Sequence, residues 1–130
     1  MTETKPRYGS SLEEYFAYLL TEAGIKFVAQ YKAVPARRYS WDFYIPSAEL
    51  LVEIQGGTWA ATGDNKRPSG HTTHAGLHRD YEKNNLAVLE GFQVMYFDAE
   101  MVHGGEALTT VTDYLFNARA AHDMRDMMEI

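Results

Sequence analysis

The spacing of apolar positions changes period several times along the chain. After Ser10 and Ser11, the residues Leu12, Phe16, Leu19, Leu20 and Ala23 form an amphipathic helical stripe, and Gly24 supplies its stop signal. Residues 25–31 have strand composition. A loop holding Pro35, Arg37 and Arg38 follows, and then two more strand-like runs at 39–45 and 50–55. The link Pro46-Ser47-Ala48-Glu49 is short enough to close a hairpin. Residues 56–76 are rich in Gly, Thr, Asn, Pro and His and read as a long loop, of a length that in compact domains is usually functional or disordered, the functional reading being favoured here. Residues 77–90 predict a helix with Leu77, Tyr81 and Val88 on one stripe, Asp80 and Asn84 bordering it, and Leu86 and Leu89 outside. Gly91 ends it. A strand at 92–97 and, after Gly104-Gly105, a helix presenting Leu108, Val111, Leu115 and Ala118 complete an α/β order of helix, three strands, helix, strand, helix.

Within the predicted hairpin the period is two. Trp41, Phe43 and Ile45 fall on one face, with Asp42 and Tyr44 on the other; Leu50, Val52 and Ile54 separate in the same way from Glu53 and Gln55. A hairpin turning on Ser47-Ala48 sets Asp42 directly opposite Glu53. Like charges so placed destabilise a ladder, more so beside aromatic side chains. A divalent cation bridging the two would offset that cost and leave positions for water and a phosphate oxygen. The alternatives are an acid pair at a solvated sheet edge, or one carboxyl held protonated by the other.

Composition narrows the chemistry. The 130 residues suit one domain: a polar tail at 1–10, a domain at 11–121 and an extension at 122–130 holding Met124, Met127 and Met128. With no cysteine there is no disulfide, no thiolate zinc site and no cysteine nucleophile, so any metal is a hard cation on oxygen or histidine ligands. The polar start Met1-Thr2-Glu3-Thr4-Lys5-Pro6 and the lack of a long apolar run lead to the expectation of a cytoplasmic protein. A net charge of −6 argues against coating nucleic acid by bulk charge, yet residues 26–83 hold eight Lys and Arg against six Asp and Glu. That weakly basic middle is compatible with nucleic acid and equally with ordinary solvated charge.

Taken together, Asp42 and then Glu53-Ile54-Gln55 on the next strand resemble the bipartite motif of the PD-(D/E)XK nucleases. The similarity extends to Glu13, Phe16, Leu20, Gly24, Phe27 and Gln30, to Gly56-Gly57, and to Gly70-His71, Asp80-Tyr81-Glu82-Lys83-Asn84 and Gly91-Phe92-Gln93-Val94-Met95, so it spans roughly residues 11–103. The branch it resembles holds the very-short-patch repair endonucleases, their phage and transposon relatives, and phage endonucleases related to Holliday junction resolvases. The resemblance implies a restriction-endonuclease-like αβββαβ core, a mixed central sheet flanked by helices, and Mg2+- or Mn2+-dependent hydrolysis of DNA by one or two ions. It implies that Asp42 and Glu53 bind the metal with the Ile54 carbonyl, and that Glu13 holds a second ion or orients water. It picks out His71 as a residue contacting phosphate or orienting water. Gln55 departs from it, since most members carry Lys there, although some restriction enzymes also have Gln; Gln orients water but brings no charge. Lys83, on the following helix, is a source for that charge.

Plainer readings stand beside these. Ser10-Ser11-Leu12-Glu13-Glu14 offers two overlapping capping boxes, so either glutamate could simply cap the helix. His71, His74 and His78 would share a helix face, but Gly70, Thr72, Thr73 and Gly76 argue for a loop, and a zinc site is the weaker reading. Arg37, Arg38, Lys66, Arg67 and Arg79 could hold a phosphate backbone and Trp59 could stack on an unpaired base, or they could be solvated charge and core. Two strands to cut would suit a homodimer. The rivals to a nuclease are a catalytically inactive nucleic-acid-binding module on the same fold, which Gln55 favours, and an interaction protein that assembles through its C-terminal helix.

Overall fold

The computed structural model describes residues 8–56 and 74–128. Helix α1 (Ser11–Glu22) starts where Ser10 Oγ accepts from the Glu13 backbone N–H at 3.2 Å, and it buries Phe16, Ala17 and Leu20. Its end is a left-handed Gly24, φ +74°, after which the Ile25 N–H bonds back to the Leu20 carbonyl. That bond commits Ile25 to the helix end, so strand β1 is only Val28–Tyr31, three residues shorter at its start than the composition suggested.

Strands β2 (Trp41–Ile45) and β3 (Leu50–Gln55) form the expected hairpin, with Phe43, Tyr44 and Ile45 opposite Val52, Leu51 and Leu50. A single 3-10 turn, Pro46–Ala48, joins them, and Glu49 closes it in the left-handed region at φ +50°. Strand β4 (Gln93–Asp98) lies parallel to β3. The sheet order is β1-β2-β3-β4, antiparallel except for the last pair: a four-stranded mixed sheet flanked by helices, as the α/β reading expected.

One face of the sheet carries the larger core, in which Phe16 and Leu20 of α1 meet Phe43, Ile45, Val52 and Phe97. Two further helices complete that side. The first, α3 (Ala99–His103), was not anticipated; Asp98 Oδ1 caps it, accepting from the Met101 N–H at 2.9 Å, and Val102 enters the core. Helix α4 (Glu106–Met128) buries Ala107 and Val111 and runs unbroken through residue 122, while Phe116, Met124, Met127 and Met128 stay exposed. Among the described residues no helix is long and apolar enough to cross a membrane.

The other face carries a smaller core of Ala33, Val34, Trp41, Leu51 and Ala87, with Tyr31, Tyr44 and Phe92 packed around it. Trp41 belongs to this group and not with Phe43 and Ile45, contrary to strict alternation. Regular pairing is interrupted locally: Gln30 on the neighbouring strand is left-handed at φ +52°, and the β2–β3 ladder stops at Phe43, before Asp42.

Helix α2 (His74–Leu89) covers this face and departs from its expected form. It begins at His74, so His74 and His78 are one turn apart on an exposed helix surface and not in a loop. Its buried side is Gly76 and Ala87, with Lys83 only 16% exposed between them, whereas Leu77, Tyr81 and Val88 face outward. Small residues allow the helix close approach to the sheet, and the lysine stem fills the remaining space, so an apolar stripe was the wrong guide.

Candidate active site

The hairpin brings two acids together where its backbone pairing ends. The Asp42 N–H donates to Glu53 Oε1 at 3.0 Å, and the Ile54 N–H donates to Asp42 Oδ2 at 2.7 Å. Carboxylates stand here in the places of ladder carbonyls, each accepting a backbone hydrogen bond from the opposite strand. That exchange offsets part of the repulsion between them. It does not remove it: burial first, and the Asp42 charge second, raise the Glu53 pKa above the ordinary glutamate value, while Lys83 and the Asp42 N–H act in the opposite direction.

Helix α1 adds a third acid. Glu13 is 8% exposed and is the buried charged residue of the described chain, among the apolar residues of α1. Its Oε2 accepts from the Gly9 N–H, and a Cβ at Gly9 would stand 2.8 Å from that oxygen, so the glycine lets the backbone close over the carboxyl. Ser10 caps α1 as the capping-box reading expected, but the return bond comes from Gly9 and the carboxyl turns toward the sheet. Burial, the Asp42 charge and, more weakly, the Glu53 charge push its pKa up to about 7, against the lowering effect of the Gly9 N–H.

Helix α2 supplies the cation. Lys83 Nζ lies 3.2 Å from Glu53 Oε2 and 4.8 Å from the centre of the Trp41 ring, so the ammonium sits between a carboxylate and an aromatic face. Three carboxyls against one ammonium leave an excess of acidic groups in a poorly hydrated pocket. Hard oxygen donors under mutual repulsion are the donor set that Mg2+ or Mn2+ takes, and the residues fit such an ion chemically. The conformation described is satisfied by its own hydrogen bonds: among the described residues no three His, Asp or Glu side chains are already arranged as a metal cage. An ion would compete with the Lys83 contact and with the Glu13 proton.

No family model matches the chain, and no curated protein matches it in sequence. Its shape does have a counterpart. The fold resembles a homing-endonuclease catalytic domain. That solved structure, the catalytic domain of the homing endonuclease I-Bth0305I, superposes with a TM-score of 0.59 at 15% identity, covering 85% of this chain and 98% of the other. The likeness is one of fold, and it takes in nearly the whole of the other domain.

The remaining candidates divide by position. Gln55 lies two residues beyond Glu53 on β3, paired with Asp98 of β4, and faces a groove of about 920 Å3 between α2 and the sheet. The Ile54 backbone is engaged through its N–H by Asp42. Arg37 is ion-paired with Glu82 of α2, while Arg38 and Arg79 are exposed. Trp59, Lys66, Arg67 and His71 lie outside the described residues. Sequence reasoning missed the Gly9 cradle and the Trp41 ring beneath Lys83. The second could have been found from Gly76, Lys83 and Ala87, which recur at helical spacing on one side of α2.

Proposed function

We propose that the chain is a metal-dependent endonuclease that hydrolyses DNA phosphodiester bonds at Asp42, Glu53 and Glu13, with Lys83 as the site's cation. The observation that supports this most is the convergence itself. Two strands and two helices each bring one ionisable group to the end of the β2–β3 pairing, at the cost of keeping like charges together. The fold of a homing-endonuclease catalytic domain agrees with it.

In this reading Asp42 and Glu53 would hold the ion, joined by Glu13 when it is deprotonated. A bound divalent cation supplies Lewis acidity at the phosphate and eases deprotonation of water. Glu13, whose carboxyl faces Asp42 from α1, would hold the ion or orient the attacking water. Water oxygen bonds to phosphorus as the bond to the leaving sugar oxygen breaks. Lys83 stabilises the charge gathering on the phosphate, the part for which Gln55 has no charge, and Gln55 orients water or base. Arg37, Arg38 and Arg79 contact the backbone. His71 contacts phosphate or orients water, and Trp59, Lys66 and Arg67 bind the DNA.

The test is a titration of Mg2+ or Mn2+ into labelled duplex, single-stranded and four-way-junction DNA with wild type, Asp42→Asn and Glu53→Gln. The expected result is metal-dependent cutting that both substitutions abolish. Salt-sensitive binding with no cutting under either metal would replace this reading with the inactive binding module.

A further inference from the structure

The groove that Gln55 faces belongs to a different chemistry from the acids next to it. Its walls come from β3, β4 and α2, and its volume of about 920 Å3 lies in the range of about 300–1,000 Å3 typical of small-ligand sites. It adjoins the acid cluster directly: Tyr96 on its floor is the ladder partner of Glu53, close enough that the Glu53 charge helps to raise the phenol's pKa. No Lys or Arg is among the described residues lining it, and Asp80 and Asp98 are. Among the described lining residues a phosphate would meet two carboxylates and no Lys or Arg, which disfavours a nucleotide backbone there.

What the groove offers instead is flat apolar surface edged with amides. Tyr96 on the edge strand β4 and Tyr81 on α2 are 40% and 62% exposed, large aromatic side chains left open beside the groove. Around them stand Asn84 and Asn85 from α2 and Gln55 from β3, side chains that both donate and accept, and Asn84 Oδ1 already accepts from the Tyr96 hydroxyl at 3.3 Å. Aromatic faces beside amide donors and acceptors suit a nucleobase, which stacks through its π-face and hydrogen-bonds along its edge. A base stacked and paired within a duplex cannot present both.

We infer that this groove receives one unpaired nucleobase next to the phosphate to be cut, so that the substrate carries a single-stranded segment at the site of cleavage. This rests on the nuclease reading for the word "cut" but not for the binding. Lys83, and a cation on the acids when one is bound, would then hold the phosphate end of the nucleotide, while Tyr81, Tyr96 and the amides hold its base.

The experiment uses a single-stranded oligonucleotide containing 2-aminopurine and the same strand annealed to its complement. The full chain is titrated into each in EDTA, and cleavage of both is followed separately in Mn2+. The expected result is a change of 2-aminopurine fluorescence with the single strand and not the duplex. Tyr81→Ala and Asn85→Ala, both at exposed helix positions, should each weaken that binding, Tyr81→Ala by about ten-fold or more, with unchanged circular dichroism. Equal affinity for the two DNAs, or binding that neither substitution alters, overturns the inference, and if cutting is still seen the nuclease reading survives alone. Base-dependent binding lost in the variants, without cutting in Mn2+, supports the groove and removes the nuclease reading. No binding to either DNA overturns the groove outright.

Discussion

Helices α1 and α2 cover the two faces of one sheet and do so by opposite means. The first buries Phe16, Ala17 and Leu20, a stripe that any reading of periodicity finds, and admits a single acid, Glu13, at its start. The second buries little apolar surface of its own: Gly76 and Ala87 let it approach, Leu86 packs at the margin of the smaller core and Lys83 fills the space between, while Leu77, Tyr81, Val88 and Leu89 are left exposed. Apolar burial of the first kind contributes roughly 25 cal/mol per Å2, so α1 is where stability is concentrated. The second helix gives up that stabilisation and places a cation against Glu53. One helix chiefly holds the fold, and the other chiefly equips the site.

Substituting the central residue of each helix should separate these roles most widely. Phe16→Ala is expected to cost about 3–5 kcal/mol in a urea unfolding curve while leaving the cleavage rate per folded molecule unchanged. Lys83→Met should leave the urea midpoint close to wild type, because the methionine keeps the apolar stem over Trp41 and Glu53 can take up a proton. Cleavage should fall by about 10²–10³-fold, the scale of losing one donor to a developing negative charge. A Lys83→Met protein that unfolds but cuts normally would collapse the distinction. Next in size, Ala87→Leu should cost about 1–3 kcal/mol by pushing α2 off Leu51 and Trp41.

A smaller effect distinguishes the acid of α1 from the apolar residues around it. With a folded-state pKa of about 7 against 4.5 for an ordinary glutamate, the folded protein binds the Glu13 proton more tightly than the unfolded chain does. Its contribution is therefore fully present below pH 4.5 and is lost as pH rises toward 7. Glu13→Gln does not titrate. Its melting temperature relative to wild type should climb across that window and stay level above it; a constant difference at all pH values would show that the carboxyl is not perturbed. Smallest of all, Val88→Ser on the outward side of α2 should change stability by no more than about 0.5 kcal/mol, where an apolar stripe buried as the periodicity suggested would have made it severe.

The same contrast explains what could be read in advance. Period-two alternation and a short turn were sufficient to set Asp42 against Glu53, because a hairpin has few registers and its pairing with Val52, Leu51 and Leu50 follows from them. The stripe of α1 was sufficient for its buried face. The contents of α2 were not readable this way, since hydrophobicity cannot signal a face made chiefly of glycine, alanine and lysine, and the one leucine that packs there, Leu86, lay outside the predicted stripe. Trp41 was misplaced for a related reason: alternation assumes an uninterrupted ladder, and at Asp42 the pairing passes from carbonyls to side chains. The groove was invisible because Tyr81, Asn84, Tyr96 and Gln55 meet only once β4 lies parallel to β3 with α2 across them.

The central claim is that the acids form a cation site and not merely a self-satisfied cluster of hydrogen bonds and one ion pair. Calorimetric titration of Mn2+ into the protein without DNA tests this directly, at about pH 8 and again at about pH 6 with wild type and Asp42→Asn. The account predicts binding at the higher pH, weaker binding at the lower as Glu13 takes up a proton, and none in the variant at either. Equal heats for wild type and Asp42→Asn, or no binding at about pH 8, would contradict it.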